Sequence, residues 1–164
     1  MHQLILIALL IGILSLPKAT LPDFIAEVVA VDAGDCVEVL DQSRTRQTVC
    51  LLGVLAPEVG QPYGDESRAR LNSLVLGREV LIESVRKKAP ALLMAKVWVE
   101  PADCASCGKT LDVNHAQLLA GMARWNPSHA KLLSAEEGGR YPSAEEEARK
   151  RQWGLWSDAE NAAP

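Results

Sequence analysis

Short apolar stretches alternate with polar, turn-rich stretches along much of the chain, and this pattern predicts a series of β-strands. Val, Ile and Leu dominate the apolar stretches, whereas Gly, Asp and Ser mark the turns, as is typical of strands joined by tight loops. We expect five strands, at residues 24–31, 36–40, 46–52, 79–84 and 92–100. The expected connections include a turn at 32–35, a hairpin loop at 41–45 and a loop at 86–91.

Apolar residues with helical spacing predict two helices. The first is expected at 65–76, with Asp65 as its N-cap and Gly77 as its stop signal. The second starts at Asp112, a residue type that caps helices well. The apolar faces consist of Leu71, Leu74 and Val75 in the first helix and Leu118, Leu119 and Met122 in the second.

A last helix is predicted from the pattern Ser143-x-x-Glu146. In this capping box, the two side chains satisfy backbone groups at the start of a helix. We expect residues 126–139 to be irregular, and Trp153 and Trp156 to pack into the core.

The order of these elements predicts the fold class. Three strands, a helix, two strands and two helices give an α+β protein. Five short strands with a helix between the third and the fourth are typical of an OB-type β-barrel. We therefore expect a five-stranded OB-type β-barrel with about three packed helices, spanning residues 24–158 and followed by a tail at 159–164.

Composition sets the size and charge of this domain. A chain of 164 residues that is 48% hydrophobic can build one core without metal or disulfide staples. The net charge of −4 gives no long-range attraction to nucleic acid. Basic runs at 86–88 and 149–151 are either local binding patches or a solvated loop and a solvated helix face.

The N-terminal stretch at 4–16 is apolar apart from Ser15. It is shorter than the ~20 apolar residues of a membrane span, and it matches the hydrophobic region of a signal peptide. We therefore expect residues 1–20 to be a signal peptide and the protein to be exported, either periplasmic or secreted. The alternatives are an uncleaved anchor that holds the protein to the membrane through residues 4–16, and a start codon placed too early.

The four cysteines are an even number, which in an exported protein indicates two disulfides. Cys36 and Cys50 each lie seven residues from Ser43, the centre of the predicted hairpin loop. A symmetric antiparallel hairpin places such residues opposite each other, with Cα atoms ~4.5–5.5 Å apart. We therefore predict a Cys36–Cys50 disulfide, and two small buried thiols are the alternative.

Cys104 and Cys107 share one loop, where a local disulfide is expected if the protein is exported. A redox-active CxxC is a second interpretation. It would make the protein a thiol-linked envelope protein. A zinc site completed by His115 or His129 is the third.

Several short motifs together resemble a known family. They are the segments 31–36, 49–58 (ending in Ala56-Pro57-Glu58), 61–64, 74–80, 95–99, 121–125 and 141–156. In this order they resemble the thermonuclease, or staphylococcal nuclease-like, domain. The resemblance implies an OB-type fold and hydrolysis of the phosphodiester backbone of DNA and RNA, usually with Ca²⁺.

The turn after the first strand usually reads Asp-Gly-Asp-Thr in that family, and its aspartates serve the metal. Here the second aspartate is Asp35, whereas Ala33 replaces the first. Asp32 lies one position earlier and is a candidate to compensate. The resemblance therefore implies Asp35 as the residual metal ligand.

The family's corner usually reads Arg-Leu-x-Gly-(Ile/Val)-Asp-(Ala/Thr)-Pro-Glu, and its glutamate is the proposed general base. Glu58 keeps the place of that base. Cys50 stands where the family has a phosphate-clamping arginine, and Leu55 stands where it has an aspartate. The place of the second clamping arginine falls near Leu92.

One carboxylate and one base make a poor Ca²⁺ site, because Ca²⁺ takes six or more oxygen ligands. We therefore expect weak or no phosphodiesterase activity and a retained binding role toward nucleic acid or a protein. Arg46 and Arg86 are candidates to replace the lost arginines, and an active metal-dependent endonuclease with a rearranged site is the alternative.

Candidates to stack on bases are Tyr63, Trp98, Trp125 and Tyr141.

Overall fold

The computed structural model describes residues 21–157. The expected leader at 1–20 and the tail at 159–164 lie outside these residues. Among the residues described, no helix is long and apolar enough to cross a membrane. The strands are β1 (Phe24–Ala33), β2 (Cys36–Asp41), β3 (Arg46–Leu51), β4 (Val54–Leu55), β5 (Glu79–Ala89), β6 (Leu92–Val99), β7 (Leu111–Asp112) and β8 (Arg124–Trp125). The helices are α1 (Gly64–Val75), α2 (Val113–Leu119) and α3 (Ala135–Lys150), with 3₁₀ turns at Pro127–Leu132 and Gly154–Trp156.

Five strands close into a barrel, which confirms the predicted α+β, OB-type fold. The sheet order is β3-β2-β1-β5-β6-β7, and β3 pairs with β6 as well. That closing pair is parallel and joins Thr48 to Leu92 and Leu51 to Ala95. The short strands β4 and β8 form a separate pair beside the barrel.

Strand β5 is longer than the sequence pattern predicts. It continues to Ala89, whereas the expected strand ended at Ser84. Its backbone keeps pairing with β6 through the basic run, where Arg86 lies opposite Met94 and Lys87 lies opposite Leu93. The predicted loop at 86–91 is therefore largely a strand.

Helix α1 begins differently from the prediction. Its N-cap is Tyr63, which has φ of 64° and makes no side-chain capping bond. Asp65 lies inside the first turn, where its charge favours the helix dipole. The predicted buried face is confirmed, because Leu71 and Val75 are fully buried.

Helix α3 starts well before the predicted position. The capping box that opens it is formed by Ser134 and Glu137, whereas the hydroxyl of Ser143 donates to the carbonyl of Gly139 inside the helix. Pro142 is accommodated within α3. The expectation that 126–139 is irregular is therefore wrong for residues 135–139, which lie in α3, and Pro127–Leu132 form a 3₁₀ turn.

The core fills the barrel and extends under the helices. Valines of β1, β2 and β3 point into the barrel, and Leu118 of α2 is fully buried. Trp156 is buried as expected, but Trp153 is 42% exposed. Tyr141 is fully buried, so the expectation that it offers a stacking surface for bases is wrong.

Two buried amide side chains on α2 hold the barrel and its loops together. Asn114 accepts a hydrogen bond from the N–H of Val97 (3.0 Å) and donates to the carbonyls of Leu52 (3.0 Å) and Ala95 (3.1 Å). Gln117 donates to the carbonyls of Gly34 (2.7 Å) and Ser67 (3.2 Å). Since Asn114 and Gln117 are both fully buried, these contacts are shielded from water.

We expect Asn114→Ala to lower the free energy of unfolding by about 3 kcal/mol, because it leaves several buried backbone groups without their side-chain partner. Urea unfolding at neutral pH measures this loss. The matched control is Asn72→Ala, at an exposed position of α1, which should change stability by less than about 0.5 kcal/mol. Equal losses in both variants would contradict the role assigned to Asn114.

Candidate functional site

The turn before β2 is held directly against the segment that follows β3, residues 52–58, which we name the Pro-Glu corner. The carboxylate of Asp35 accepts a hydrogen bond from the N–H of Ala56 at 3.1 Å. The backbone carbonyl of Asp35 accepts one from the N–H of Leu51 at 2.8 Å. The structure therefore brings Asp35 to the corner that carries Glu58.

Gly34 is required by close packing at this turn. A Cβ atom added there would lie 1.8 Å from Oγ of Ser67 and 2.8 Å from Cβ of Ala56, closer than any real contact. The turn, the corner and the first turn of α1 are therefore one packed unit.

The environment of Asp35 disfavours its charge. Burial raises the pKa of the Asp35 carboxyl, and the hydrogen bond from Ala56 opposes that shift. The carboxylate is therefore costly to the folded protein, as is common for a charged group kept at a functional position. Asp32, the candidate to compensate for Ala33, is exposed.

The far side of the corner is a cleft with an apolar edge. Glu58 is exposed, and Leu55, at the family's aspartate position, is 53% exposed. Leu55 pairs across β4 and β8 with Arg124, and Glu58 and Arg124 line the same cleft, together with Pro62. The Arg124 guanidinium lies 4.5 Å from the centre of the Trp156 ring. An arginine therefore reaches the corner from the segment 121–125, where the sequence predicted no role for Arg124 in the site.

A disulfide occupies position 50, where the resemblance expects the first phosphate-clamping arginine. Cys36 and Cys50 face each other in the β2–β3 hairpin, as its register predicts, and their sulfurs are bonded with Cα atoms 4.1 Å apart. Position 50 thus offers neither a cation nor a hydrogen-bond donor to a phosphate. Leu92, at the second arginine position, opens β6 beside Thr48.

Arg46 lies at the opposite end of β3 from the corner. Its guanidinium pairs with Glu38 at 2.5 Å, and four residues of strand separate it from Cys50, or roughly 13 Å. The structure therefore keeps Arg46 apart from Asp35 and Glu58.

Arg86 lies closer, on a surface that also holds a histidine. It is exposed on β5 opposite Met94, and Met94 pairs with Cys50. His129, in the 3₁₀ turn after β8, accepts a hydrogen bond at Nδ1 from the N–H of Gly53 (3.2 Å). Burial lowers the pKa of His129, and the positive charges of Lys88 and Arg86 lower it further. The basic run at 86–88 was visible in the sequence, but its meeting with His129 was not, because the two segments are far apart in the chain.

The second cysteine pair is bonded as well. Cys104 and Cys107 form a local disulfide in the loop between β6 and β7. Among residues 21–157 there is no free cysteine, so neither sulfur is available as a zinc ligand in this form.

The described residues do not fit the Ca²⁺ ion that the resemblance implies. One oxygen of Asp35 already binds the N–H of Ala56, and Leu55 has no ligand atom. Within 21–157, no three His, Cys, Asp or Glu side chains come together as a metal-binding group. A hard cation that wants six or more oxygens therefore has no built site at this corner.

Comparison with known proteins identifies the family. The family model described as Staphylococcal nuclease homologue matches residues 48–158. Protein ParB of Escherichia coli is 31% identical over 139 residues, covering 84% of this chain and 75% of that protein. An uncharacterized endonuclease of Escherichia coli O157:H7 is 30% identical over 142 residues (87% and 83%), and a micrococcal nuclease of Shigella flexneri is 29% identical over 142 residues (87% and 79%). The chain belongs to the staphylococcal nuclease family.

We expect Asp35→Asn to stabilise the protein at pH 7. Because burial raises the Asp35 pKa above its ordinary 3.8, the folded state holds that proton more tightly than the unfolded chain, and stability falls as pH rises through this titration. The asparagine oxygen can still accept the bond from Ala56. Thermal unfolding should therefore show a higher Tm for the variant at pH 7 and no difference at a pH below 3.8.

The matched control is Asp32→Asn, which removes an exposed charge from the same turn. Its Tm should follow that of the parent at both pH values. A lower Tm for Asp35→Asn at pH 7 would show that the Asp35 charge stabilises this corner, contrary to its burial.

Proposed function

We propose that this chain is an exported member of the staphylococcal nuclease family in which phosphodiester hydrolysis is weak or lost and nucleic-acid binding is retained. The observation that carries the proposal is the Cys36–Cys50 disulfide, which takes the position of a phosphate-clamping arginine. Two disulfides within residues 21–157 support the exported location, because such bonds persist in oxidising compartments.

The magnitude of the loss follows from what each replaced group would do. Removing one donor that stabilises developing negative charge typically costs ~10²–10³ in rate. By the family resemblance, Cys50 and Leu92 stand in place of two such donors, and Ala33 stands in place of an aspartate that serves the metal. Glu58 is then a base with neither a phosphate-binding arginine nor a metal ion beside it. Activation of water by Glu58 gains little, because no neighbouring group stabilises the negative charge of the transition state.

The basic surface next to the disulfide supports the binding role. Arg86 and Lys88 are exposed on β5, and both act on His129, which contacts the backbone of Gly53 at the corner. Cations arranged along one surface neutralise phosphates and give binding without sequence preference.

For cleavage, we expect no Ca²⁺-dependent degradation of single- or double-stranded DNA above a protein-free blank. Glu58→Gln should leave that result unchanged, because the base has no clamp to act with. The readout is release of fluorescence from a quenched oligonucleotide. Cleavage that disappears in Glu58→Gln would refute the loss of hydrolysis.

If cleavage that depends on Glu58 is found, the structure offers one explanation, a working endonuclease that uses Arg124. Arg124 lines the same cleft as Glu58, and relatives bear the names of nucleases. In such an enzyme, Arg124→Met would abolish cleavage as fully as Glu58→Gln. Arg151→Met would retain it, since Arg151 lies over Trp153 on another surface, 4.8 Å from the ring centre.

For binding, we expect Arg86→Gln/Lys88→Gln to weaken the affinity for a labelled single-stranded oligonucleotide by about tenfold and to reduce the salt slope by about one, because up to two phosphate contacts are lost. Fluorescence anisotropy over a salt series measures both quantities. The control, Lys150→Gln/Arg151→Gln, removes the same charge from α3, where each cation already pairs with a glutamate. Equal weakening in both double variants would show that binding depends on the net charge of the protein and not on the surface formed by Arg86 and Lys88.

A further inference from the structure

A second pocket lies between the helices, away from the Pro-Glu corner. It has a volume of about 500 Å³ and is lined by Arg70 of α1, by His115 and Leu119 of α2, and by Leu111, Met122 and Trp153. It shares no lining residue with the cleft of Glu58 and Arg124. The pocket is therefore a separate feature of the fold.

Arg70 contributes a cation that forms no ion pair within residues 21–157. Its side chain is half-buried, and its Nε is buried without a hydrogen-bond partner among residues 21–157. Burial lowers the pKa of Arg70, because the charged guanidinium has lost part of its hydration. Two other half-buried arginines form ion pairs, Arg140 with Asp112 and Arg149 with Glu145, although the Nε of Arg140 also lacks a hydrogen-bond partner among residues 21–157.

The walls of the pocket are mainly apolar. Leu119 and Met122 are half-buried, and Trp153 is 42% exposed, with the Arg151 guanidinium 4.8 Å from its ring centre. No carboxylate lines the pocket. A ligand that suits these walls has an apolar body and one negative charge.

The other charged groups near the pocket do not neutralise Arg70. Asp112 accepts from the Tyr141 hydroxyl and from the N–H of His115, and it pairs with Arg140. Burial lowers the pKa of His115, and the nearby Arg140 lowers it further. His115 is therefore a neutral imidazole at pH 7, able to hydrogen-bond a bound head group.

We propose that this pocket binds a small monocarboxylate with an apolar tail, with its carboxylate paired to Arg70 and its tail against Leu119, Met122 and Trp153. A carboxylate matches the planar guanidinium better than a spherical anion does. Such a ligand compensates the desolvated cation and covers exposed apolar surface at the same time. The proposal does not depend on whether the corner cleaves or binds nucleic acid.

Octanoate and its neutral analogue octanamide test the proposal by calorimetric titration of the full chain. We expect saturable octanoate binding, and a Kd raised about tenfold in Arg70→Gln, while octanamide binding stays within about twofold of the parent. Arg44→Gln is the matched control, because it removes an exposed arginine from the distant β2–β3 loop, and it should leave both Kd values unchanged.

A second variant separates the tail from the head group. Trp153→Ala removes apolar wall and should weaken octanoate and octanamide together. Amide shifts on octanoate binding should appear at Ala116 and Ala120, which line the pocket. The proposal is overturned if octanoate fails to saturate below about 10 mM, if Arg70→Gln binds it as tightly as the parent, if octanamide binds the parent equally well, or if the shifts lie at the Pro-Glu corner instead.

Discussion

Two buried amide groups on the short helix α2 locate every part of the candidate site. Asn114 joins β6 to the backbone at Leu52, where the Pro-Glu corner begins. Gln117 joins the turn at Gly34 to the first turn of α1 at Ser67. Asn114 uses both its amide oxygen and its amide nitrogen, so another arrangement of its partners would leave buried donors or acceptors unpaired. The seven residues of α2 therefore define where Asp35 and Glu58 lie.

This arrangement explains why some family residues persist when others have changed. Asp35 holds the corner through the N–H of Ala56. The carbonyl of Glu58 accepts from the N–H of Gln61 (3.0 Å), and a Cβ at position 64 would lie 1.9 Å from that carbonyl oxygen. The Asp35 side chain thus has a role in the fold that does not depend on catalysis, whereas Glu58 makes these contacts through its backbone, which any residue would provide.

The barrel was predictable because its information is local. Strand alternation, the turns and the hairpin spacing predict the strands and the facing pair Cys36 and Cys50, whereas closure of the sheet joins Thr48 to Leu92 and follows from the order of the elements. The start of α3 could not be predicted, because Gly138, Gly139 and Pro142 are residue types that disfavour a helix. In the structure, the Ser134 capping box and tertiary packing outweigh them. The contributions of Arg124 and His129 were also out of reach, since each meets the corner through contacts between residues far apart in the chain.

The cross-strand disulfide also constrains how this sequence can change. Cys36 and Cys50 are separated by 14 residues, yet they form one chemical unit. An arginine at position 50 would leave the sulfur at position 36 without its partner, next to the half-buried carboxyl of Asp35. Replacing both cysteines requires either two simultaneous substitutions or an intermediate with one free thiol. The bond therefore couples two positions that are distant in the sequence, so that neither can change without changing the chemistry of the other.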